Sequence, residues 1–265
     1  MAAVALRQFG VGLGGGACIG LVGWGGGQVI IPSLAHPAVG GLSQLQASAS
    51  SLFGLSFSAT AGAATFARDG ACDFRLAALI AVPSVVGARC GVLVARKLSG
   101  ENLALVFDGL STLLLPAHLA VQHYALQLKA KDEASAVGTA AFGFASGMLS
   151  AIMGVGGLPV IISYLTIATP LPHHLVQGTA MCAVAPAVVT SAVSHAWNGN
   201  VPFRAALCTS AGCLLGSVAG ADVALRLSED QLRYAYSASL VVLGGRSAIA
   251  TMFGMYRKIQ KRKLT

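Results

Sequence analysis

Two glycine-rich stretches contain the residues of this chain whose types and spacing could do chemistry. They read GWGGGQVIIP at 23–32 and GVGGLPVII at 154–162. Each glycine costs a helix roughly 1 kcal/mol against alanine, so several together favour a break. A helix that restarts after a break points free N–H groups and its positive dipole end at one place, which suits an anion. The predicted substrate-binding residues of this kind are Gly25, Gly26, Gly27, Gln28, Gly156 and Gly157. Close helix packing through small residues is the alternative that the sequence leaves open.

A second set of candidate residues is small, polar and uncharged. Gln46 and Ser48 follow the first glycine-rich stretch, and Gln177 and Thr179 follow the second at the same spacing. Neutral donors suit an anion that must be released again, since a buried lysine or arginine would bind it tightly or demand a counter-charge. We therefore predict that all four bind substrate. The alternative is that their side chains bond to their own or a neighbouring helix.

Composition places these residues in a membrane. Charged residues make up 10% of the chain and hydrophobic residues 55%, and the mean hydropathy is +0.74, whereas soluble domains carry about 25% charged residues. No Lys, Arg, Asp or Glu occurs in 8–67 or in 134–203, and each run is long enough for more than two spans of ~20 residues. We predict an all-α, multi-pass integral membrane protein with the lipid bilayer as a partner. The net charge of +8 then serves orientation rather than nucleic-acid binding.

Eight apolar spans can be drawn, and they divide into two similar halves. The spans are 9–33, 42–67, 76–95, 102–121, 136–165, 172–196, 204–225 and 231–255. The predicted organisation is a first four-span repeat at 1–126, a cytoplasmic connector at 127–135, a second four-span repeat at 136–256 and a basic cytoplasmic tail at 257–265. Matching residues lie 131 apart up to Gln46 and Gln177, and 129 apart from Gly70 and Gly199 onward, which indicates a duplication. A glycine-broken helix opens each half.

The relative orientation of the halves depends on how the glycine-rich segments are built. Four complete spans per half would give both halves one orientation, whereas a re-entrant hairpin changes the span count and allows the halves to be inverted. On the eight-span interpretation, eleven Lys and Arg lie on the side of the termini and four on the other. The positive-inside rule then predicts a plasma (inner) membrane protein with both termini cytoplasmic.

Four motifs occur in both halves. They are the glycine-rich break, a QASAS or QGTAM run, a FARDGACDFRLAAL or WNGNVPFRAAL connector, and a glycine-spaced third span. This doubled arrangement, from about Gly10 to Gly254, resembles the TauE/SafE family of sulfite and organosulfonate exporters. The resemblance implies a polytopic carrier of sulfite, sulfoacetate or related organosulfur anions. The chain departs from the family's usual Gly-Thr-Ser after the break, which reads Ala47-Ser48-Ala49 in one half and Gly178-Thr179-Ala180 in the other.

Charged and titratable residues inside the predicted spans are costly in lipid and are therefore candidates for function. Arg89 and Asp108 fall at similar depth on antiparallel neighbouring spans, so we predict an ion pair between them. A substrate-attracting Arg89 is the alternative. Arg246 is the deep cation without a nameable partner, which could contact the anion or the carbonyl end of a helix. His195 is the histidine best placed to couple transport to protons, unless it is an interfacial residue beside Trp197.

Together these features favour a secondary transporter, an exporter of small sulfur-containing anions such as sulfite or organosulfonates, that works by alternating access around the glycine-broken half-helices. A passive anion channel is the first alternative. An intramembrane enzyme is the second, but the chain has no HExxH motif, phosphate loop or recognisable nucleophile and base. We predict no catalytic residues, no metal and no cofactor. The expected partners are a small anionic substrate and lipid rather than nucleic acid, and homo-oligomerisation stays open.

Overall fold

The computed structural model describes residues 2–24, 26–127 and 135–263, and it describes their side chains except at 114–127, 251 and 253–263. The described residues form ten α-helices and no strand. The helices are α1 Ala2–Val22, α2 Gly26–Ala35, α3 Gln44–Arg68, α4 Phe74–Lys97, α5 Gly100–Gln127, α6 Ala136–Met153, α7 Leu158–Ala168, α8 His173–Trp197, α9 Phe203–Arg226 and α10 Glu229–Lys263. The predicted all-α fold is confirmed.

The first glycine-rich stretch reverses the chain, so that α1 and α2 lie side by side in opposite directions. A Cβ on Gly15 of α1 would lie 2.7 Å from the side chain of Ile30 in α2. Farther along the chain, Val39 accepts a hydrogen bond of 3.0 Å from Gln8, near the start of α1. We call α1 and α2 the first hairpin, and we call the end of the molecule at which α1 begins the terminal face.

The second glycine-rich stretch reverses the chain in the same way, and α6 and α7 form the second hairpin. Ser146 of α6 donates a hydrogen bond of 3.0 Å to the carbonyl oxygen of Gly157, where α7 begins. Tyr164, later in α7, is hydrogen-bonded at 2.8 Å to Thr139, earlier in α6. The break predicted at the start of each half is therefore present, and it is a full reversal rather than an interruption of one continuous span.

The two halves are inverted relative to each other. Helices α3 and α8 occupy equivalent places in the halves, and they pack in opposite directions. Cys182 of α8 lies 3.8 Å from the carbonyl oxygen of Ala63, whereas a Cβ on Gly178, nearer the start of α8, would lie 2.9 Å from Phe66, nearer the end of α3. Of the two orientations that the sequence left open, the contacts favour the inverted one, as re-entrant hairpins require.

Local structure repeats at the spacing found in the sequence. The turns after α3 and α8 both place a glycine in the left-handed region, Gly70 at φ 71° and Gly199 at φ 70°. The residue after each glycine then donates its N–H to the last turn of the helix, with N···O distances of 2.9 and 3.0 Å. The duplication thus extends to the conformation of the connectors, while the bounds of the two halves stay a prediction.

Glycines bring one helix of each half against a helix of the other. A Cβ on Gly16 of α1 would lie 2.2 Å from the carbonyl oxygen of Cys213 in α9, and one on Gly147 of α6 would lie 1.9 Å from that of Ser84 in α4. These two contacts are equivalent, because Gly147 follows Gly16 by 131 residues and Cys213 follows Ser84 by 129. Backbones that approach this closely are typical of membrane helices packed through small residues. The halves are consequently interleaved rather than separate.

The surface of the molecule suits lipid. Five of the described helices, α1, α4, α6, α8 and α9, are long and apolar enough to cross a membrane. Large apolar side chains are exposed on the outside, for example Val82 at 71% and Val242 at 69%, whereas Gln28 and Gln177 are fully buried. An apolar exterior around a polar interior is the reverse of what water favours. The chain is therefore an integral, multi-pass membrane protein.

Candidate functional site where the two hairpins meet

The tips of the two hairpins meet inside the molecule, backbone against backbone. A Cβ on Gly27 would lie 2.6 Å from the Cα of Val155 and 2.7 Å from the carbonyl oxygen of Gly154. Each break also packs on the other hairpin in an equivalent way, because Gly23 lies against Ile162 and Gly154 against Ile31. We call residues 23–27 and 154–157 the hairpin junction. Gly25, one of the predicted site residues, lies outside the described residues.

At the junction, glycine is required by both conformation and space. Gly154, Gly156 and Gly157 have φ values of 78°, 95° and 69°, a region that side chains other than glycine rarely adopt. A Cβ on Gly157 would lie 2.6 Å from the hydroxyl of Ser146, and one on Gly26 would lie 2.9 Å from Leu55. The predicted residues Gly26, Gly27, Gly156 and Gly157 are thus all brought to one place. The space beside the second break is only about 10 Å³, roughly enough for one water molecule.

Four buried polar atoms near the junction have no hydrogen-bond partner among the described residues. They are Trp24 Nε1, Ser48 Oγ, Ser150 Oγ and Gln177 Oε1. A Cβ on Gly154 would lie 2.9 Å from Ser48, and one on Gly157 would lie 3.2 Å from Ser150. An unsatisfied buried polar group costs about 1–3 kcal/mol, which a ligand could recover. The indole N–H and the two hydroxyl groups can donate to an anion, whereas Gln177 Oε1 is an acceptor and needs a donor.

Trp24 and Ser150 are candidate site residues that sequence reasoning did not single out. Trp24 is 1% exposed and stands within the first break, between Gly23 and the start of α2. Ser150 is also 1% exposed, and its backbone oxygen accepts the N–H of Gly154 that ends α6. The signal for Trp24 was present, since an indole N–H inside a charge-free apolar run needs an acceptor. Ser150 had no signal, because serines are frequent throughout both halves.

Two of the predicted polar residues have structural tasks away from the junction. Gln46 is exposed, and it forms a capping box with Ser43 at the start of α3, where the two reciprocal hydrogen bonds measure 3.2 and 3.3 Å. Thr179 is buried, but its hydroxyl accepts the N–H of Asp73 at 2.9 Å and so holds the connector before α4. Gln177 points to the end of α1, where its Nε2 donates to the carbonyl of Gly20 at 3.0 Å. The equivalence of Gln46 and Gln177 in sequence does not extend to their contacts.

Hydrogen bonds of Gln28 connect the first hairpin to α5 and α10. Its side chain is hydrogen-bonded to Ser111 of α5 and accepts a bond of 3.1 Å from Ser247 of α10. Its carbonyl oxygen has no helical donor because Pro32, four residues later, lacks an N–H. Arg246 supplies the missing donor, with Nη1 at 3.1 Å from that oxygen. Arg246 therefore contacts a carbonyl oxygen in the first turn of α2 rather than the carbonyl end of a helix, and its contact with an anion stays a prediction.

The predicted ion pair between Arg89 and Asp108 is not formed. Arg89 is exposed on α4, and neither ion pair found among the described residues includes it. The cation that acts on Asp108 is Arg246 instead. The depth argument failed because it compared positions along two helices without knowing which way each side chain faced. His195 is fully buried at the end of α8, beside Asn200 at 3.2 Å, and it lies against the backbone of Ala151 in the last turn of α6.

A multi-pass helical membrane protein in which two inverted halves each contribute a glycine-broken hairpin to a shared centre is the class that the fold and the site define. The chain matches the family model described as "Sulfite exporter TauE/SafE" over residues 8–247, and it therefore belongs to the TauE/SafE family. It is also similar to the "Probable membrane transporter protein YdhB" of Bacillus subtilis (strain 168), with 26% identity over 122 residues that make up 46% of this chain. The match spans 49% of that relative's length. No solved structure matches the chain.

Proposed function

We propose that this protein is a secondary transporter that moves a small sulfur-containing anion, such as sulfite or an organosulfonate, across the membrane. The single observation that carries the proposal is the hairpin junction, where Gly27 approaches Gly154 and Val155 from the opposite half. Inverted repeats whose discontinuous helices meet near the centre are the arrangement on which many secondary transporters are built. The sulfur-containing substrate is taken from the description of the family.

The junction suits transient anion binding. Helices α2 and α7 both begin there, so their N–H groups and positive dipole ends are directed at the same centre. The nearby donors Trp24, Ser48 and Ser150 carry no net charge, and an anion held by neutral donors can leave again. The inside of the junction is too narrow for an oxyanion as it stands, so transport requires the two hairpins to separate. Alternating access follows if they separate toward one face at a time.

Reconstituted vesicles test this proposal. Purified protein in proteoliposomes should take up labelled sulfite, thiosulfate, sulfate or an organosulfonate with saturable kinetics, with and without a pH gradient. Gly27→Ala and Gly157→Ala place a methyl group where the junction has no room, and both should lose most of the flux. Gly14→Ala is the matched control, because a Cβ at Gly14 meets nothing within 4 Å.

The transport measurements distinguish three ways in which the proposal could be wrong. Uptake of every anion equal to that of empty vesicles would contradict the substrate class. Flux that rises linearly with concentration and shows no exchange would identify a passive channel instead of a carrier. Full flux in both junction variants, with Gly14→Ala unchanged, would show that the anion does not pass the junction.

A further inference from the structure

A pocket on the terminal face leads toward the junction. It has a volume of about 430 Å³ and lies between α1, α2 and α10. His36 and Val39 line it at the level of Gln8, and Gln28 lines it at the other end, next to Gly27 of the junction. From Gln28 to its end at Ala35, α2 covers roughly 10 Å. We call this cavity the terminal-side pocket.

In the second half, aromatic residues stand at two of the positions equivalent to the lining of the pocket. Val11 and Ser33 line the terminal-side pocket, and their equivalents 131 residues later are Phe142 and Tyr164. These two rings stack with centroids 4.3 Å apart, and the hydroxyl of Tyr164 is hydrogen-bonded to Thr139 at 2.8 Å. Two residues that line the pocket in the first half are therefore replaced in the second half by a pair of stacked rings, of which Phe142 is 45% exposed.

The polar groups of the pocket are likewise confined to the first half. Arg246, His36 and Gln28 line it, and their equivalents in the repeat are Ala117, Ile167 and Pro159. An intramembrane cation beside a cavity is costly to keep without a purpose. The difference between the halves thus brings added polar and charged groups to one place in the first half.

The chemistry of the pocket matches an oxyanion. One guanidinium N–H group of Arg246 is used on the carbonyl of Gln28 at 3.1 Å, and the others make no further hydrogen bond among the described residues. A guanidinium group has a planar fork of donors that fits two oxygens of one anion. His36 accepts the N–H of Ala38 on Nδ1 at 3.2 Å, so its Nε2 carries the proton and is a second donor. Asp108 of α5 lies close enough to Arg246 to interact with its charge.

We propose that the terminal-side pocket is an anion-binding site in which Arg246 holds the oxygens of a sulfite- or sulfonate-type group before it reaches the junction, while His36 is a donor nearer the terminal face. The choice of this substrate class rests on the proposed transport function. The site serves only the terminal face, because the equivalents of Arg246 and His36 in the second half are Ala117 and Ile167. A lipid phosphate group has related chemistry, so the test separates a free anion from a headgroup.

Binding is measured on the full chain in detergent free of anionic lipid, with sulfite as the probe and chloride keeping the ionic strength constant. Sulfite should raise the thermal unfolding midpoint in a saturable way. Arg246→Ala introduces the residue of the other half and should weaken sulfite binding by about tenfold or more. Arg75→Ala is the matched control, since it removes an exposed arginine that lines no described pocket, and its binding should equal that of wild type.

A second variant tests the same proposal if Arg246→Ala fails to fold. The double substitution Val11→Phe with Ser33→Tyr transfers the ring stack of the second half and leaves the bond from Arg246 to Gln28 in place. It should abolish sulfite binding while the protein stays folded. Wild-type affinity in this variant or in Arg246→Ala would overturn the proposal, and so would a midpoint that responds to phosphatidylglycerol but not to sulfite.

The pocket and the transport proposal can fail separately. Gly27→Ala should keep saturable sulfite binding while it loses flux, because the pocket lies before the junction. Saturable binding that depends on Arg246, together with no uptake by wild type, would refute transport and leave the pocket in place. Normal uptake by Arg246→Ala, with an unchanged KM for sulfite presented at the terminal face, would refute the pocket alone.

Discussion

At the scale of single residues, the contacts between the halves are set by the absence of a side chain. Gly16 and Gly147 each place a helix backbone against the carbonyl oxygen of a helix from the other half, where a Cβ would lie 2.2 and 1.9 Å away. Such a clash with backbone cannot be relieved by rotating a side chain. Gly14, two residues from Gly16 on the same helix, faces open space. One helix therefore offers both a test position and its control.

We expect Gly16→Ala and Gly147→Ala to lower the unfolding free energy by about 1–3 kcal/mol, the usual cost of overpacking a tight contact. Gly14→Ala should be neutral or slightly stabilising, because alanine is the better helix former and meets no neighbour. Thermal unfolding of the purified variants in one detergent measures all three. Equal midpoints for Gly14→Ala and Gly16→Ala would mean that α1 and α9 do not touch as described.

At the scale of elements, α8 begins with backbone N–H groups that its own cap cannot satisfy. Pro172 at the N-cap offers no side-chain acceptor. Glu229 at the start of α10 accepts these hydrogen bonds instead. Its carboxylate accepts the N–H groups of His173 and His174 at 2.7 and 3.2 Å, and it also accepts a bond from the His174 ring. Burial alone would raise the pKa of Glu229, but these hydrogen bonds lower it below its ordinary value.

The lowered pKa of Glu229 makes this connection sensitive to pH. The folded protein releases the proton of this carboxyl group more readily than the unfolded chain, so its contribution is complete above the unfolded value of about 4.3 and is lost as the pH falls through the folded one. Glu229→Gln should lower the free energy of unfolding by about 1 kcal/mol at pH 7, as the loss of a helix cap does. The difference from wild type should shrink between about pH 5 and pH 3, as measured by thermal unfolding. Asp230→Asn, an exposed neighbour in the same turn, should differ little from wild type at any pH.

The elements also show how far sequence reasoning reached. The two breaks could be predicted because clustered glycines have a direct local cost in a helix. The repeat could be predicted because the connectors of the two halves have identical residues at equivalent positions. The reversal of the chain at each break could not, since a kink and a hairpin use the same glycines. The side-chain partners of Gln46 and Arg89 also escaped prediction. Spacing along one helix gives depth, whereas a partner depends on the rotation of both helices, which is decided only when they pack.

At the scale of the whole molecule, the inversion of the halves decides which connectors share a side of the membrane. The turns after α3 and α8 are equivalent, and both carry an exposed residue, Asp69 and Asn198. Halves with one orientation would place both turns on the same side. Because α3 and α8 are antiparallel, these turns lie at opposite ends of the molecule, with Asn198 at the terminal face.

We expect Asp69→Cys and Asn198→Cys to react from opposite sides of the membrane. With the termini in the cytoplasm, a membrane-impermeant maleimide should label Asp69→Cys in intact cells and Asn198→Cys only after the membrane is opened. Wild type, whose six cysteines set the background, is treated in parallel. Labelling of both variants from the same side would contradict the inverted arrangement. Labelling of Asn198→Cys alone in intact cells would keep the inversion and reverse the orientation, and the terminal-side pocket would then open to the outside.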